Sequence, residues 1–248
     1  MSIVDAAILF VAGFLSGVVN AIAGGGTFLT FGAMTLTGLP PIVANATSSI
    51  TQFPGYVTSA LAYRREIRSD WKEALVVGAL SLVGGLAGAL LLLSMSNPGF
   101  RALVPWLLLG ATAVFAAGPL LKPKHLHAEQ PLGPLGLVGQ FATSIYGGFF
   151  GAGMGIMTLA VLGLSKGGDY HRLNALKNFL AMVIAAVAIV IFASGKVVGW
   201  PQAAVMIPAG AIGGYSGVWV ARRVPQTVIR ALVVAVGALL TVYYFVSG

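Results

Sequence analysis

The sequence alternates between long apolar stretches and short gaps that hold most of its charged residues. Eight stretches are long enough to cross a hydrocarbon core of about 30 Å as helices, and they run roughly over Ile3–Leu36, Ile42–Tyr63, Ala74–Leu93, Phe100–Leu121, Leu135–Leu164, Leu173–Ser194, Gln202–Ala221 and Val228–Val246. Charged residues make up 8% of the chain, against roughly 25% in a soluble domain. The pattern predicts an all-α polytopic membrane protein. It excludes a soluble monomer, a disordered chain and a nucleic-acid-binding protein.

Acidic side chains are absent from the centres of the apolar stretches. The six carboxylates lie at stretch ends or in gaps, and they are Asp5, Glu66, Asp70, Glu73, Glu129 and Asp169. Cation transport and carboxylate proton relays use acidic groups inside the membrane, so this distribution favours an anionic substrate. The chain has no cysteine, and no set of nucleophile and base is evident in it. We therefore expect no enzymatic activity, no metal site and no cofactor.

The two halves of the chain resemble each other at a fixed separation. A shift of 129 positions without a gap aligns Gly24 with Gly153, Gly26 with Gly155, Gly38 with Gly167, Asn45-Ala46 with Asn174-Ala175, Trp71 with Trp200, Gly84-Gly85 with Gly213-Gly214, and Arg101–Val104 with Arg230–Val233. The matches fall on interruptions and helix starts. They predict an internal duplication, which is typical of secondary transporters. The first repeat would cover residues 1–121, a cytoplasmic linker 122–131 and the second repeat 132–248.

The basic residues indicate how the two repeats are oriented. If all eight stretches cross the membrane once, the 14 Lys and Arg divide seven to seven between the two sides. If each glycine-interrupted stretch enters and returns, 12 lie on one side and only Arg101 and Lys196 lie on the other. Cytoplasmic loops carry an excess of Lys and Arg, which favours the second arrangement. It predicts inverted repeats, each made of a Gly-broken re-entrant helical hairpin and three transmembrane helices.

Glycine clusters interrupt two of the stretches at corresponding places. We call Gly24–Thr27 the first break and Gly151–Gly155 the second break. Irregular backbone at membrane depth persists only where it is buried in protein or lines a wet cavity. There, free N–H groups and the positive end of the following helix attract an anion. The glycine pairs over 84–88 and 213–217 have the spacing of close helix packing, which is the role we expect for them.

Polar residues share one face of the helices that follow the breaks. After the first break this polar stripe is Asn45, Ser48, Ser49 and Gln52, with Thr47 beside it, and after the second it is Asn174, Lys177 and Asn178. Lys177 lies one turn inside an apolar stretch that has no acidic residue, so it either extends to the cytoplasmic interface or attracts an anion. Asn45 and Asn174 either face the site or cap their helix starts. The predicted substrate site combines backbone N–H donors, the Lys177 charge and orienting side chains. Its residues are Asn20, Gly24, Gly25, Gly26, Thr27, Asn45, Thr47, Ser48, Gly151, Gly153, Met154, Gly155, Asn174, Lys177 and Asn178.

Short motifs extend over most of the chain. They are Gly13–Gly17, Ala23–Thr27, Gly38–Pro41, Asn45–Ser49 and Tyr63–Glu66 before Trp71 in the first half, and Tyr146–Gly155, Asn174–Asn178 and Gly199-Trp200 in the second. Together they resemble the TauE/SafE sulfite exporter family, also called the 4-toluene sulfonate uptake permease family. The resemblance implies a bacterial inner-membrane carrier for sulfite, sulfonates or other small organic anions. It also implies two repeats with a substrate site between their Gly-rich segments.

One expected function and one alternative follow. We expect a multi-pass secondary transporter of the bacterial inner membrane that moves a small anion by alternating access between the two breaks. The alternative is an anion channel lined by the same breaks. The expected partners are the anionic substrate and the lipid bilayer, without nucleic acid. The sequence leaves open the direction of transport, the coupling ion and whether the chain forms a homodimer.

Overall fold

The protein is built from α-helices within the residues that the structure describes. The computed structural model describes residues 1–22, 25–121, 130–167, 170–221 and 226–247, and no strand occurs in them. The helices are α1 (Ile3–Ile22), α2 (Gly26–Leu36), α3 (Pro41–Ala62), α4 (Arg64–Ser69), α5 (Trp71–Leu93), α6 (Asn97–Leu121), α7 (Pro134–Phe149), α8 (Met154–Ser165), α9 (Tyr170–Ser194), α10 (Trp200–Ala221) and α11 (Gln226–Ser247). This confirms the all-α prediction. The predicted linker lies largely outside the described residues.

Several helices have the length and composition of membrane spans. Within the described ranges, three segments are long and apolar enough to cross a membrane, namely Ile3–Asn20, Trp71–Leu93 and Arg172–Ser194. Large apolar side chains are also exposed, such as Val83 at 54% and Tyr215 at 89%. Extensive apolar exposure is unfavourable in water and is accommodated by lipid. The fold therefore has the character of a multi-pass membrane protein.

Each glycine-interrupted stretch forms a pair of packed helices with arms of unequal length. The 20 residues of α1 span about 30 Å, whereas the 11 residues of α2 span about 17 Å. In the second half, α7 has 16 residues and α8 has 12. In both pairs the second arm is too short to cross a hydrocarbon core of about 30 Å.

Local sequence signals set several helix starts. The Ser2 N–H donates to Asp5 Oδ2 at 2.8 Å, and the Asp5 N–H donates to Ser2 Oγ at 3.1 Å. This reciprocal capping satisfies two N–H groups that the first turn of α1 leaves unpaired. Proline occupies the first position of α3 and of α7, where its missing N–H costs nothing.

The two halves of the chain pack against each other in a reciprocal way. Helix α1 packs chiefly on α10, and its counterpart α7 packs chiefly on α5. The contacts are close because glycines face backbone: a Cβ on Gly17 would collide with α10, and a Cβ on Gly88 would collide with the α7 backbone at Ile145. Gly84 and Gly213 make similar close contacts, which confirms the packing role expected for these glycines. Each half therefore depends on the other for its tightest helix contact.

Candidate functional site

Left-handed glycines form the turn at each break. Gly25 directly precedes α2 with φ 90°, and Gly153 directly precedes α8 with φ 78°. Gly151 has φ 79°. Residues with a Cβ rarely adopt this conformation, so the turns require glycine. Gly24, which was predicted to belong to the site, lies outside the described residues.

The ungapped alignment of the two halves and the structure pair the residues of the two breaks differently, by one position. Gly25 and Gly153 are 128 positions apart, whereas Gly38 and Gly167, which also have positive φ, are 129 apart. The difference arises because α2 has 11 residues and α8 has 12. The counterpart of Gly153 is therefore Gly25, and the alignment that paired Gly153 with Gly24 was wrong at this point.

Side chains surround the first break with a closed hydrogen-bond network. The Gly26 N–H donates to Asn20 Oδ1 at 2.9 Å, and the Asn20 amide donates to Gln52 Oε1. Gln52 Nε2 donates to Ser16 Oγ at 2.7 Å and to Thr30 Oγ1 at 3.2 Å. Because these groups bond to one another, the first break is held in place by the protein itself.

Two further predicted residues have structural partners. Ser48 Oγ lies 2.5 Å from Thr30 Oγ1 and so extends the network of the first break. Thr47 Oγ1 donates to the Val43 carbonyl oxygen at 2.6 Å and accepts the Gly199 N–H at 2.9 Å. Thr47 thereby attaches the residue before α10 to α3.

The second break is connected to α3 of the first half. Asn45 Nδ2 donates to the Phe149 carbonyl oxygen at 2.8 Å, at the C-terminal end of α7, where carbonyl groups lack helical partners. Tyr146 Oη donates to the Ala152 carbonyl oxygen at 2.7 Å, inside the break. Asn45 Oδ1 is buried and has no hydrogen-bond partner among the described residues. The equivalent Asn174 makes a different contact, donating to Tyr63 Oη at 3.2 Å.

Aromatic rings fix the residues that lead into the second break. Phe150 packs edge-on against Phe31 of α2, with ring centroids 5.7 Å apart, and Phe149 packs against Phe100 of α6 at 5.7 Å. Phe150 is 1% exposed. The end of α7 is therefore anchored by apolar packing, in contrast to the polar network at the first break.

Lys177 lies beside the start of α8. Its Cδ is 3.8 Å from the point that a Cβ on Gly155 would occupy, and its side chain is half-buried. In the described part of the chain, Lys177 has no ion pair or hydrogen bond, and the Gly155 N–H has no acceptor. The N-terminus of α8 adds a partial positive charge. The second break thus carries positive charge without a counter-ion from these residues.

A small cavity, with room for about one water molecule, is lined by residues of both breaks. The lining residues are Thr27, Ser49, Gln52, Tyr56, Gly147, Gly151, Met154, Ile184, Ala185 and Ala188. Helix α3 supplies most of the polar side chains, and α8 and α9 supply an apolar wall. The two breaks therefore meet at one space in the interior of the helical bundle.

The structure brings together only part of the predicted site. Thr27, Gly151 and Met154 line the cavity, and Gly155 and Lys177 lie beside each other at the start of α8. The other described members have positions away from the lining: Asn20, Gly25, Gly26, Asn45, Thr47, Ser48, Gly153, Asn174 and Asn178. Their assignment as substrate-binding residues remains a prediction.

Sequence reasoning missed Tyr56 and left Ser49 and Gln52 out of the predicted site. These three residues have the spacing i, i+3 and i+7, so they share one face of α3. Ser49 and Gln52 belonged to the recognised polar stripe. Extending that stripe by one turn would have found Tyr56. The apolar wall of Ile184, Ala185 and Ala188 had no distinguishing signal, because α9 is apolar over most of its length.

Comparison with known proteins identifies the family. The profile described as "Sulfite exporter TauE/SafE" matches residues 9–244. The chain belongs to the TauE/SafE sulfite exporter family. This confirms the resemblance inferred from the two Gly-rich motifs and their neighbours.

Relatives of this TauE/SafE protein are named as transporters. A "Probable membrane transporter protein" of Haemophilus influenzae is 27% identical over 236 residues, covering 95% of this chain and 92% of the relative. "Probable membrane transporter protein YfcA" of Escherichia coli K12 is 27% identical over 242 residues, covering 94% and 87%. "Probable membrane transporter protein ORF9" of a Sinorhizobium species is 31% identical over 166 residues, covering 64% of each. The family is thus one of membrane transporters and not of enzymes.

Proposed function

We propose that this TauE/SafE protein is a secondary transporter that carries a small anion across the bacterial inner membrane. Two observations together carry the proposal: both breaks line one cavity, and an unpaired Lys177 lies beside the start of α8 at the second break. An ionisable side chain at membrane depth is costly and usually marks a substrate pathway. An anion that enters the cavity would gain the Lys177 ammonium group and the Gly155 N–H as partners.

We further propose that two inverted repeats, over residues 1–121 and 132–248, produce alternating access. The distribution of basic residues supports opposite orientations of the repeats. The reciprocal packing of α1 on α10 and α7 on α5 supports a pseudo-twofold relation. Rocking of one repeat against the other would open the shared cavity first to one side of the membrane and then to the other.

The proposed substrate is sulfite, an organosulfonate or a related organic anion. The name of the family supports sulfite, and the chemistry of the site supports an oxyanion. Several oxygen atoms on one charged group can accept hydrogen bonds from the Lys177 ammonium group and from backbone N–H donors together. The proposed partners are this anion and the lipid bilayer.

Flux measurements in proteoliposomes test the proposal. Labelled sulfite, short organosulfonates and sulfate would be offered to the wild type, to Lys177→Ala and to Lys72→Ala, which removes an exposed lysine as a matched control. We expect saturable flux that is stimulated by the same anion on the opposite side. Lys177→Ala should raise the half-saturation concentration roughly 10- to 150-fold, since a hydrogen bond to a charged group is worth about 1.5–3 kcal/mol.

One result would overturn the proposed function, and another would overturn the proposed role of Lys177. Single-channel current that does not saturate and shows no counterflow would establish the alternative, an anion channel. Saturable transport that is unchanged in Lys177→Ala would remove Lys177 from the site and leave only the transporter function standing.

A further inference from the structure

The polar side chains on the cavity wall differ in whether the protein already satisfies them. Gln52 uses both its side-chain NH₂ group and its side-chain oxygen in hydrogen bonds of the first-break network. Ser49 Oγ donates to the Asn45 carbonyl oxygen of its own helix at 3.1 Å. The NH₂ group of Gln52 and the hydroxyl group of Ser49 therefore already donate to groups of the protein.

Tyr56 and Thr27 are in a different situation. Both line the cavity, and neither hydroxyl has a hydrogen-bond partner among the described residues. Both hydroxyl groups are therefore free to donate to an arriving acceptor. An anionic oxygen is the strongest acceptor for an O–H donor, at about 2.5–2.7 Å.

The ring of Tyr56 contributes to an apolar surface. It packs against the buried cluster of Met154, Ala181 and Ile184, which belong to α8 and α9. Met154 and Ile184 also line the cavity, together with Ala185 and Ala188. One side chain from the first half thus brings a hydroxyl group to the cavity while its ring packs on the apolar surface of α8 and α9.

We propose that Tyr56 is a specificity-determining residue that binds the transported anion directly. Its hydroxyl donates to an oxygen of the charged head, and the apolar lining residues of α8 and α9 contact a small apolar group on the same molecule. The site is then selective for singly charged anions with a short apolar group. Sulfate is disfavoured because its second charge would be desolvated against this apolar surface. The inference rests on the proposed transport function.

Steady-state transport by Tyr56→Phe tests the inference, because this variant removes one oxygen atom and keeps the ring. Methanesulfonate, ethanesulfonate, propanesulfonate and sulfate would be compared in proteoliposomes. We expect the KM for each sulfonate to rise about tenfold, with the maximal rate within twofold of the wild type and the order of the sulfonates unchanged. Tyr215→Phe, at an 89% exposed tyrosine on α10, is the matched control and should change nothing.

The outcomes separate this inference from the proposed function. If the wild type carries no anion in a saturable way, the proposed function fails. If the wild type transports and Lys177→Ala impairs it, an unchanged KM in Tyr56→Phe overturns the role of Tyr56 alone. A lower maximal rate with an unchanged KM would also overturn it, since that result indicates a structural role. Wild-type preference for sulfate over the sulfonates would overturn the proposed selectivity.

Discussion

The two breaks of this TauE/SafE protein share a backbone turn but differ in what surrounds it. At the first break, Asn20 and Gln52 bond to the backbone of Gly26, to each other and to nearby hydroxyl groups. At the second break, Lys177 has no such partner among the described residues. The same turn therefore lies beside a hydrogen-bond network in one half and beside an unpaired charge in the other.

The difference suggests a division of roles between the halves. A saturated network fixes geometry, because each buried polar group is costly to release. An unpaired charge leaves binding capacity for a ligand. We infer that the first break acts mainly as a scaffold and that the second break supplies the attraction for the anion.

The largest effect is expected from the centre of the first network. Gln52→Leu would leave Asn20, Ser16 and Thr30 without their shared partner. We expect the free energy of unfolding to fall by about 3 kcal/mol, since each buried unsatisfied group costs about 1–3 kcal/mol. Unfolding in detergent micelles measures the change. Ser49→Ala is the control, because Ser49 bonds only within its own helix, and a Gln52→Leu variant as stable as that control would contradict the scaffold role.

A smaller effect is expected from the asparagines at equivalent positions of the two halves. Asn45 is 1% exposed and supplies a partner to the Phe149 carbonyl group, whereas Asn174 is half-buried and bonds to Tyr63. Asn45→Ala should lower the free energy of unfolding by about 1–2 kcal/mol, and Asn174→Ala by less than about 1 kcal/mol. Unfolding in detergent micelles compares the two variants. Equal losses in the two variants would show that the halves are supported alike.

The smallest effect, with the opposite sign, is expected at the second break. Lys177→Met removes a half-buried charge that lacks a partner among the described residues, so we expect the free energy of unfolding to rise by up to about 1 kcal/mol. Lys72→Met, at an exposed position, should have no effect. Stabilisation by added anion should also be lost in Lys177→Met. A lower free energy of unfolding for Lys177→Met in the absence of anion would contradict the conclusion that Lys177 is unpaired.

Different parts of the site were predictable to different degrees. Glycine clusters located both turns, because only glycine readily adopts positive φ, and the spacing of Ser49 and Gln52 defined the polar face of α3. Thr47 was chosen for its neighbours in the sequence, yet its hydroxyl bonds to Gly199, which is 152 residues away. Tyr56 lies one turn beyond the predicted stripe on the same face of α3. Long-range partners of this kind leave no local pattern.

Apolar stretch lengths, glycine clusters and the placement of charge determined by themselves that this chain is an all-α membrane protein with two interrupted segments. These features act within one or two helical turns, so they are encoded locally. Tertiary structure alone decided that the breaks share a cavity, that Gln52 completes the hydrogen-bond network at the first break and that Lys177 stays unpaired beside Gly155. Those outcomes depend on which helices pack together, because a polar group gains or lacks a hydrogen-bond partner only when the two halves pack against each other.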